Sequence, residues 1–340
     1  MVTWPPDARY ALVVEGAPAR TGVMPLHTQL PAGTIRLTLS GKRLRTEELE
    51  LVLDKPTSLR VCLDPVGQVV DCLNVFGTGP RPKSVAFRPH SNELWVALLG
   101  GPPALEVYDT ISGEKTGQVL LGEHGAVEMA FNREGTRVYA SQMETARVYE
   151  IDTVTRQATR VLETGGQWSK VVTLAPDETR LYVSNWLGHS ISEMDVASGQ
   201  LLRRFDVSKR PRGLYPTADG KRLYVASFAA GRLETVDLSN GITSTVFKGG
   251  GALRQLVGDG HRLFASDMKA GVIRRLDLTT QTMATLAHTD AHPNTIALSP
   301  DGRLLFVSTR GENGTSYLRP GPTWGSVQIF DAESGGLLDG

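Results

Sequence analysis

The feature that most constrains this chain is a figure that recurs along it. At 181–195 it reads LYVSNWLGHSISEMD: an apolar-aromatic run, a short polar turn, and a second run closed by Asp195. The figure returns at 94–109, 138–152, 223–237, 263–277 and, with a longer turn, at 305–331. Its aromatic landmarks Trp95, Tyr139, Tyr182, Tyr224, Phe264 and Phe306 are 44, 43, 42, 40 and 42 residues apart. Its closing residues are Asp109, Asp152, Asp195, Asp237, Asp277 and Asp331. A unit of this period with four short strands cannot bury both faces alone, and radial stacking of such units makes the blades of a propeller. The expected fold is all-β, a β-propeller of four-stranded antiparallel blades.

Inner strands are expected at 84–87, 128–131, 171–174, 213–216, 254–257 and 295–298, most of them continuously apolar, as suits strands covered on both faces. Small residues at Ala86, Ala130, Thr173 and Ala297 suit the narrow end of a wedge, and Tyr215 and Gln255 interrupt that series. The segment 67–87 resembles 199–216, the outer strand of one blade followed by the inner strand of the next. Residues 67–75 are therefore read as the outer strand that completes the last blade and removes its open edge, which gives six blades. If 34–75 is instead a whole degenerate blade, the count is seven.

Residues 1–63 do not carry the repeat. Alternating runs at 10–14, 34–39, 49–53 and 59–63 read as strands between Gly, Pro and Lys turns. Pro5-Pro6, Glu15-Gly16-Ala17, Pro25-Leu26 and Leu30-Pro31-Ala32-Gly33-Thr34 give this stretch a resemblance to the PEGA domain. The resemblance implies a small β-sandwich over 1–63, of the kind found in bacterial surface or envelope proteins, and hence a periplasmic or cell-surface location. The remainder, 64–340, resembles the YVTN family of propellers. It carries YVSN at Tyr182–Asn185, degenerate copies YVAS at 224–227, FASD at 264–267 and FVST at 306–309, and the turns Pro300-Asp301-Gly302 and Ala218-Asp219-Gly220. One fold hosts many activities, so the repeat speaks to architecture rather than chemistry.

Lys+Arg and Asp+Glu are both 36, so no net field draws the whole molecule to nucleic acid or a membrane, and attraction to an anion must come from a local patch. No run of 18 apolar residues exists, and residues 1–20 lack a basic start followed by an apolar core, so neither a transmembrane helix nor a signal peptide is expected here. Cys62 and Cys72 flank DPVGQ; they are either cross-strand partners able to form a disulfide or two separate buried thiols.

In a four-stranded blade the connections between outer and next inner strand share one rim with the turns between second and third strands. That rim collects Arg81, Lys83, Trp168, Lys170, Asn185, Trp186, His189, Arg210, Arg212, Phe228, Asp267, His292 and Arg310, with Tyr317 in the long Gly/Pro loop 309–325. Lys83, Lys170 and Arg212 occupy equivalent positions in their blades, which would focus positive potential near a central channel. Trp168, Trp186 and Phe228 offer flat faces beside them. The opposite rim receives ordinary polar tight turns.

No histidines stand in HxH or HExxH spacing, His288 and His292 are four apart but in a strand-and-loop context that does not place them on one face, and neither a GxSxG nor a phosphate-loop sequence is present; no cofactor is expected. Three readings follow. The first is a non-enzymatic binding or scaffolding module of the bacterial envelope whose basic and aromatic rim holds an anionic ligand. A glycan, a single-stranded nucleic acid and an acidic protein segment all fit it. The second, implied by the YVTN resemblance, is a lactonase-like hydrolase with His292, His189 or Asp267 as base. The third is a structural surface-layer or adhesion component.

Overall fold

The structure is a computed structural model that describes residues 8–24, 26, 28–41, 44–56, 69–70, 77–312 and 325–340. Among the described residues there are seven four-stranded antiparallel sheets and no helix. Six of them, at 82–119, 129–163, 169–206, 211–248, 253–288 and 293–339, have strands in consecutive order; these are the first to sixth blades.

The seventh sheet is N-terminal and comprises β1 (Arg9–Val14), β2 (Arg20–Val23), β3 (Gly33–Gly41) and β4 (Leu44–Leu53), in the order β2-β1-β3-β4. Seven four-stranded sheets fit the seven-bladed alternative better than the preferred six, although this one lacks the consecutive order of the other blades. The expected N-terminal sandwich is not what the described residues form. Ile35, Leu37 and Leu39 alternate onto one face of β3 beside Leu12, and Met24, Leu26 and Leu30 pack against that face. Among the described residues, the apolar side of this sheet is covered from connecting segments rather than by a second sheet.

Within the blades, the second and third strands are the buried ones, and the aromatic landmarks Trp95, Tyr139, Tyr224 and Phe264 are at most 1 % exposed. They seal the joints between neighbours. Tyr182, Ile191 and Phe205 of the third blade form one cluster with Leu214, Leu223 and Val225 of the fourth. Phe264 and Ile273 of the fifth blade join Ile296 and Leu305 of the sixth in the same way. Phe306 is only half-buried, and Val85, which occupies the position of Leu214 and Ile296, is 60 % exposed. Among the described residues, the outward faces of the first and sixth blades therefore lack the packing that the other joints have. Of the expected outer strand 67–75 only Val69 and Val70 are described, and both donate backbone N–H groups to Asp339 in the last strand of the sixth blade, at 3.1 and 3.4 Å. The remainder of that strand, like Cys62 and Cys72, lies outside the described residues.

The six closing aspartates have a local explanation. Each accepts backbone N–H groups from its own third-to-fourth-strand turn, as Asp152 does from Val154 and Thr155 and Asp331 from Glu333 and Ser334. Those bonds favour the ionised form and hold all six carboxyl groups below the usual aspartate value.

Candidate functional site

Backbone hydrogen bonds show how the rim is assembled. Trp186 N–H donates to Trp168 O at 3.0 Å, Phe228 N–H to Arg210 O at 2.9 Å, and Leu99 N–H to Arg81 O at 3.0 Å. Arg310 N–H donates likewise to His292 O at 3.3 Å, so the two sets of connections do share one end of the ring. The acceptors Arg81, Trp168, Arg210 and His292 have φ of 56°, 56°, 58° and 61°, a left-handed conformation that costs an ordinary side chain energy. Non-glycine residues are thus kept at four equivalent strained positions, each just before an inner strand.

The next inward step is the second position of each inner-strand segment, two residues past these acceptors in the blades that have them. It is Lys83 in the first blade, Lys170 in the third, Arg212 in the fourth, Arg254 in the fifth and Asn294 in the sixth. The charges weighing most on Lys170 are Arg212, Lys83, Arg254 and Glu128, and Arg310 also acts on Lys83. Side chains from the first to fifth blades therefore act on one another at the channel mouth, and Arg310 of the sixth acts on Lys83. Burial, and then Arg212, push the Lys170 ammonium down to about 7 and that of Lys83 down to about 8. Burial raises the Glu128 carboxyl, against the pull of Arg212 and Arg254. Arg212 and Arg254 are the most enclosed cations, 3 % and 5 % exposed, and Arg212 Nη2 lies 3.6 Å from Glu128 Oε1.

Beside this cluster stands an aromatic platform. The Trp186 and Phe228 ring centroids are 5.2 Å apart at 44°, Lys170 Nζ sits 3.8 Å from the Trp186 centroid, and the Arg210 guanidinium carbon is 5.6 Å from it. Trp168 is 41 % exposed.

Other expected rim residues are placed differently. Asn185 and Asp267 are fully buried and are correctly read as hydrogen-bond hubs of their blades, because each stands at the end of a second strand where orphan polar groups converge. Asn185 bonds Ser169, Ser190 and Ser192. Asp267 accepts from Gly251, Ala252 and Ala270 N–H groups and pairs with Arg274 at 3.2 Å, so its oxygens are not offered to a ligand. His189 Nδ1 accepts the Arg210 N–H, and His292 Nδ1 lies 2.9 Å from Gly311 O. Tyr317 lies outside the described residues. Sequence reasoning missed Arg254 and Glu128. Both signals were available: Arg254 stands at the Lys83 position, and Glu128 is the carboxylate at the third position of an inner-strand segment.

The opposite end of the ring holds a cleft of about 460 Å³ lined by Arg137, Tyr139, Glu150, Arg160 and Glu178 among others. Its charges are matched: Glu150 bonds both Arg137 and Arg160, and Arg160 continues to Val196 O and Ala197 O of the third blade. No group of three or more His, Cys, Asp or Glu suited to a metal is found among the described residues.

The fold and this arrangement define a β-propeller with a cationic channel mouth. No family profile matches the chain. The chain is 31 % identical to Antigen Lp49 of Leptospira interrogans over 295 residues, which cover 82 % of this chain and 64 % of Lp49. It thus spans less than two thirds of that relative's length. It is 23 % identical to the uncharacterized protein YncE of Salmonella typhi, over 73 % of this chain and 74 % of that one. Among solved structures it is similar to Kuenenia stuttgartiensis hydrazine synthase, with a TM-score of 0.63, 19 % identity, and coverage of 78 % of this chain and 80 % of that one. It is also similar to the β-propeller domain of Myceliophteria thermophila Cps50 (Swd1), with a TM-score of 0.62, 15 % identity, and coverage of 79 % and 90 %. At these identities the structural likeness speaks to the propeller fold alone. No helix among the described residues is long and apolar enough to cross a membrane.

Proposed function

We propose that the protein is a non-enzymatic binding module of the bacterial cell envelope, and that its channel mouth and aromatic platform hold an anionic ligand. The similarity to Lp49, described as an antigen, and to YncE supports a binding or surface role at that coarse level. The observation that carries the reading is the convergence of Lys83, Lys170, Arg212 and Arg254, from four blades, beside Trp186 and Phe228. In a chain with equal numbers of acidic and basic residues, such a local excess is not a by-product of composition. Rings beside cations suit a ligand that carries both charge and flat or apolar surface.

The test is binding of a single-stranded oligonucleotide, a sulfated glycan and an acidic peptide to the full chain and to its Lys83→Ala/Lys170→Ala/Arg212→Ala variant. The expected result is that at least one binds, that its affinity falls as salt rises, and that the variant loses on the order of a hundredfold. Equal affinities of chain and variant for every anion would sink the reading.

A further inference from the structure

The cations at the channel mouth face one carboxylate placed among them, and its geometry differs from that of the carboxylates elsewhere in the ring. Glu150 and Glu193 are locked by direct hydrogen bonds from two and one arginines, respectively. Glu128 meets Arg212 at 3.6 Å, beyond a hydrogen bond, so the attraction is charge alone. The contact reaches from the fourth blade to the second. Glu128 is also the more accessible partner, its side chain 18 % exposed against 4 % for Arg212. The carboxylate therefore occupies the place beside an enclosed guanidinium that a ligand's oxygens would take.

We infer that Glu128 is a displaceable counter-ion: it neutralises the channel cations in the free protein and yields Arg212 to a multivalent oxyanion, a phosphate or polycarboxylate group, when one enters. The inference rests on the anion-binding reading above and adds the chemistry of the group bound at the axis. The groups facing Glu128 are Lys83 of the first blade, Lys170 of the third, Arg212 of the fourth and Arg254 of the fifth, with Arg310 of the sixth acting on Lys83. A doubly charged oxyanion restores full protonation to Lys83 and Lys170, whose pKa values near 8 and 7 leave them partly neutral in the free protein at neutral pH. A carboxylate released from Arg212 beside a bound anion also gains proton affinity. Both changes have the same sign, so the protein takes up protons on binding, while a ligand that still carries a proton at neutral pH, as pyrophosphate does, releases part of it.

The experiment is titration calorimetry of the full chain and of Glu128→Gln with inorganic pyrophosphate and with citrate, at pH 7.5 in two buffers of different ionisation enthalpy. The expected result is proton uptake by the wild-type protein, read directly with citrate, which is almost fully ionised at this pH, and with pyrophosphate after the ligand's own proton release is subtracted. Glu128→Gln should bind on the order of tenfold tighter, because one repelling charge is gone. Preference for pyrophosphate or for citrate identifies a phosphate or a polycarboxylate as the group. Weaker or unchanged binding by Glu128→Gln overturns the inference, and so does wild-type binding without proton uptake, which is readable even if the variant does not fold. If the polymeric anions bind while neither small oxyanion does, this inference falls and the anion-binding reading stands; if nothing anionic binds, both fall.

Discussion

The two ends of the ring are built from the same repeat and use charge in opposite ways. At the end of the tight turns, arginines and glutamates are paired and tie blades together. Glu193 joins Arg180 and Arg203, and Arg203 goes on to Leu238 O of the next blade; Arg262 joins Asp259 at 2.6 Å and Glu333 at 2.8 Å. At the channel mouth Lys83, Lys170, Arg212 and Arg254 gather around Glu128, and two of the four cations have lowered pKa values. Charge at the first end supplies cohesion between blades. At the second, like charges are gathered and desolvated, which lowers the proton affinity of Lys83 and Lys170.

The comparison breaks first at its most buried pairings. Glu150→Ala leaves Arg137 and Arg160 without their shared, nearly buried carboxylate, and a loss of about 2 kcal/mol in urea unfolding is expected with anion binding unchanged. Lys170→Ala should do the reverse, leaving stability unchanged or slightly raised while weakening the ligand. Equal destabilisation by both would erase the distinction between the ends.

Gly213→Ala tests whether the mouth depends on blade spacing. An added Cβ would lie 2.8 Å from Arg254 O and 2.9 Å from Leu256 N, both backbone atoms of the next blade. A cost of about 1–3 kcal/mol is expected, together with weaker anion binding because Arg212 and Arg254 are pushed apart. Full retention of affinity would show that their spacing does not matter.

The pH dependence separates the ends more finely. Lys83 and Lys170 have folded-state values near 8 and 7, below 10.5, so between those limits the unfolded chain binds more protons and stability rises with pH. Anion affinity should run the other way, rising as pH falls through 8 and 7. The stability slope should flatten in Lys83→Ala/Lys170→Ala; an unchanged slope would place its source elsewhere. The closing aspartates act in a lower window. Their depressed values add stability that is present above about pH 4 and lost as pH falls below it. The smallest effect is therefore expected for Asp195→Asn, a small loss of stability at neutral pH that fades as pH falls below about 4, which makes the acid-unfolding transition slightly shallower.

Much of the fold was legible because the repeat is local. A landmark aromatic such as Tyr182 and a closing aspartate such as Asp195 mark a strand pair and its turn, and the strand pairing and turn bonds that hold them lie within one blade. The N-terminal region was less legible because β1 pairs with β3 across the intervening β2, a topology that alternation within single strands does not encode. Of the candidate site, the equivalence of Lys83, Lys170 and Arg212 could be read by counting. Asn185 and Asp267 were misjudged because a polar residue ending a strand looks the same in sequence whether it faces a ligand or ties down a loop.

Residue order alone determined the period and the turn chemistry, since each follows from contacts within a single blade. Only the tertiary structure decided that Glu128 of the second blade meets Arg212 of the fourth, and that the cations depress one another's proton affinity. Such terms depend on distances across the channel and on exclusion of water, and both come into being when the blades close around the axis.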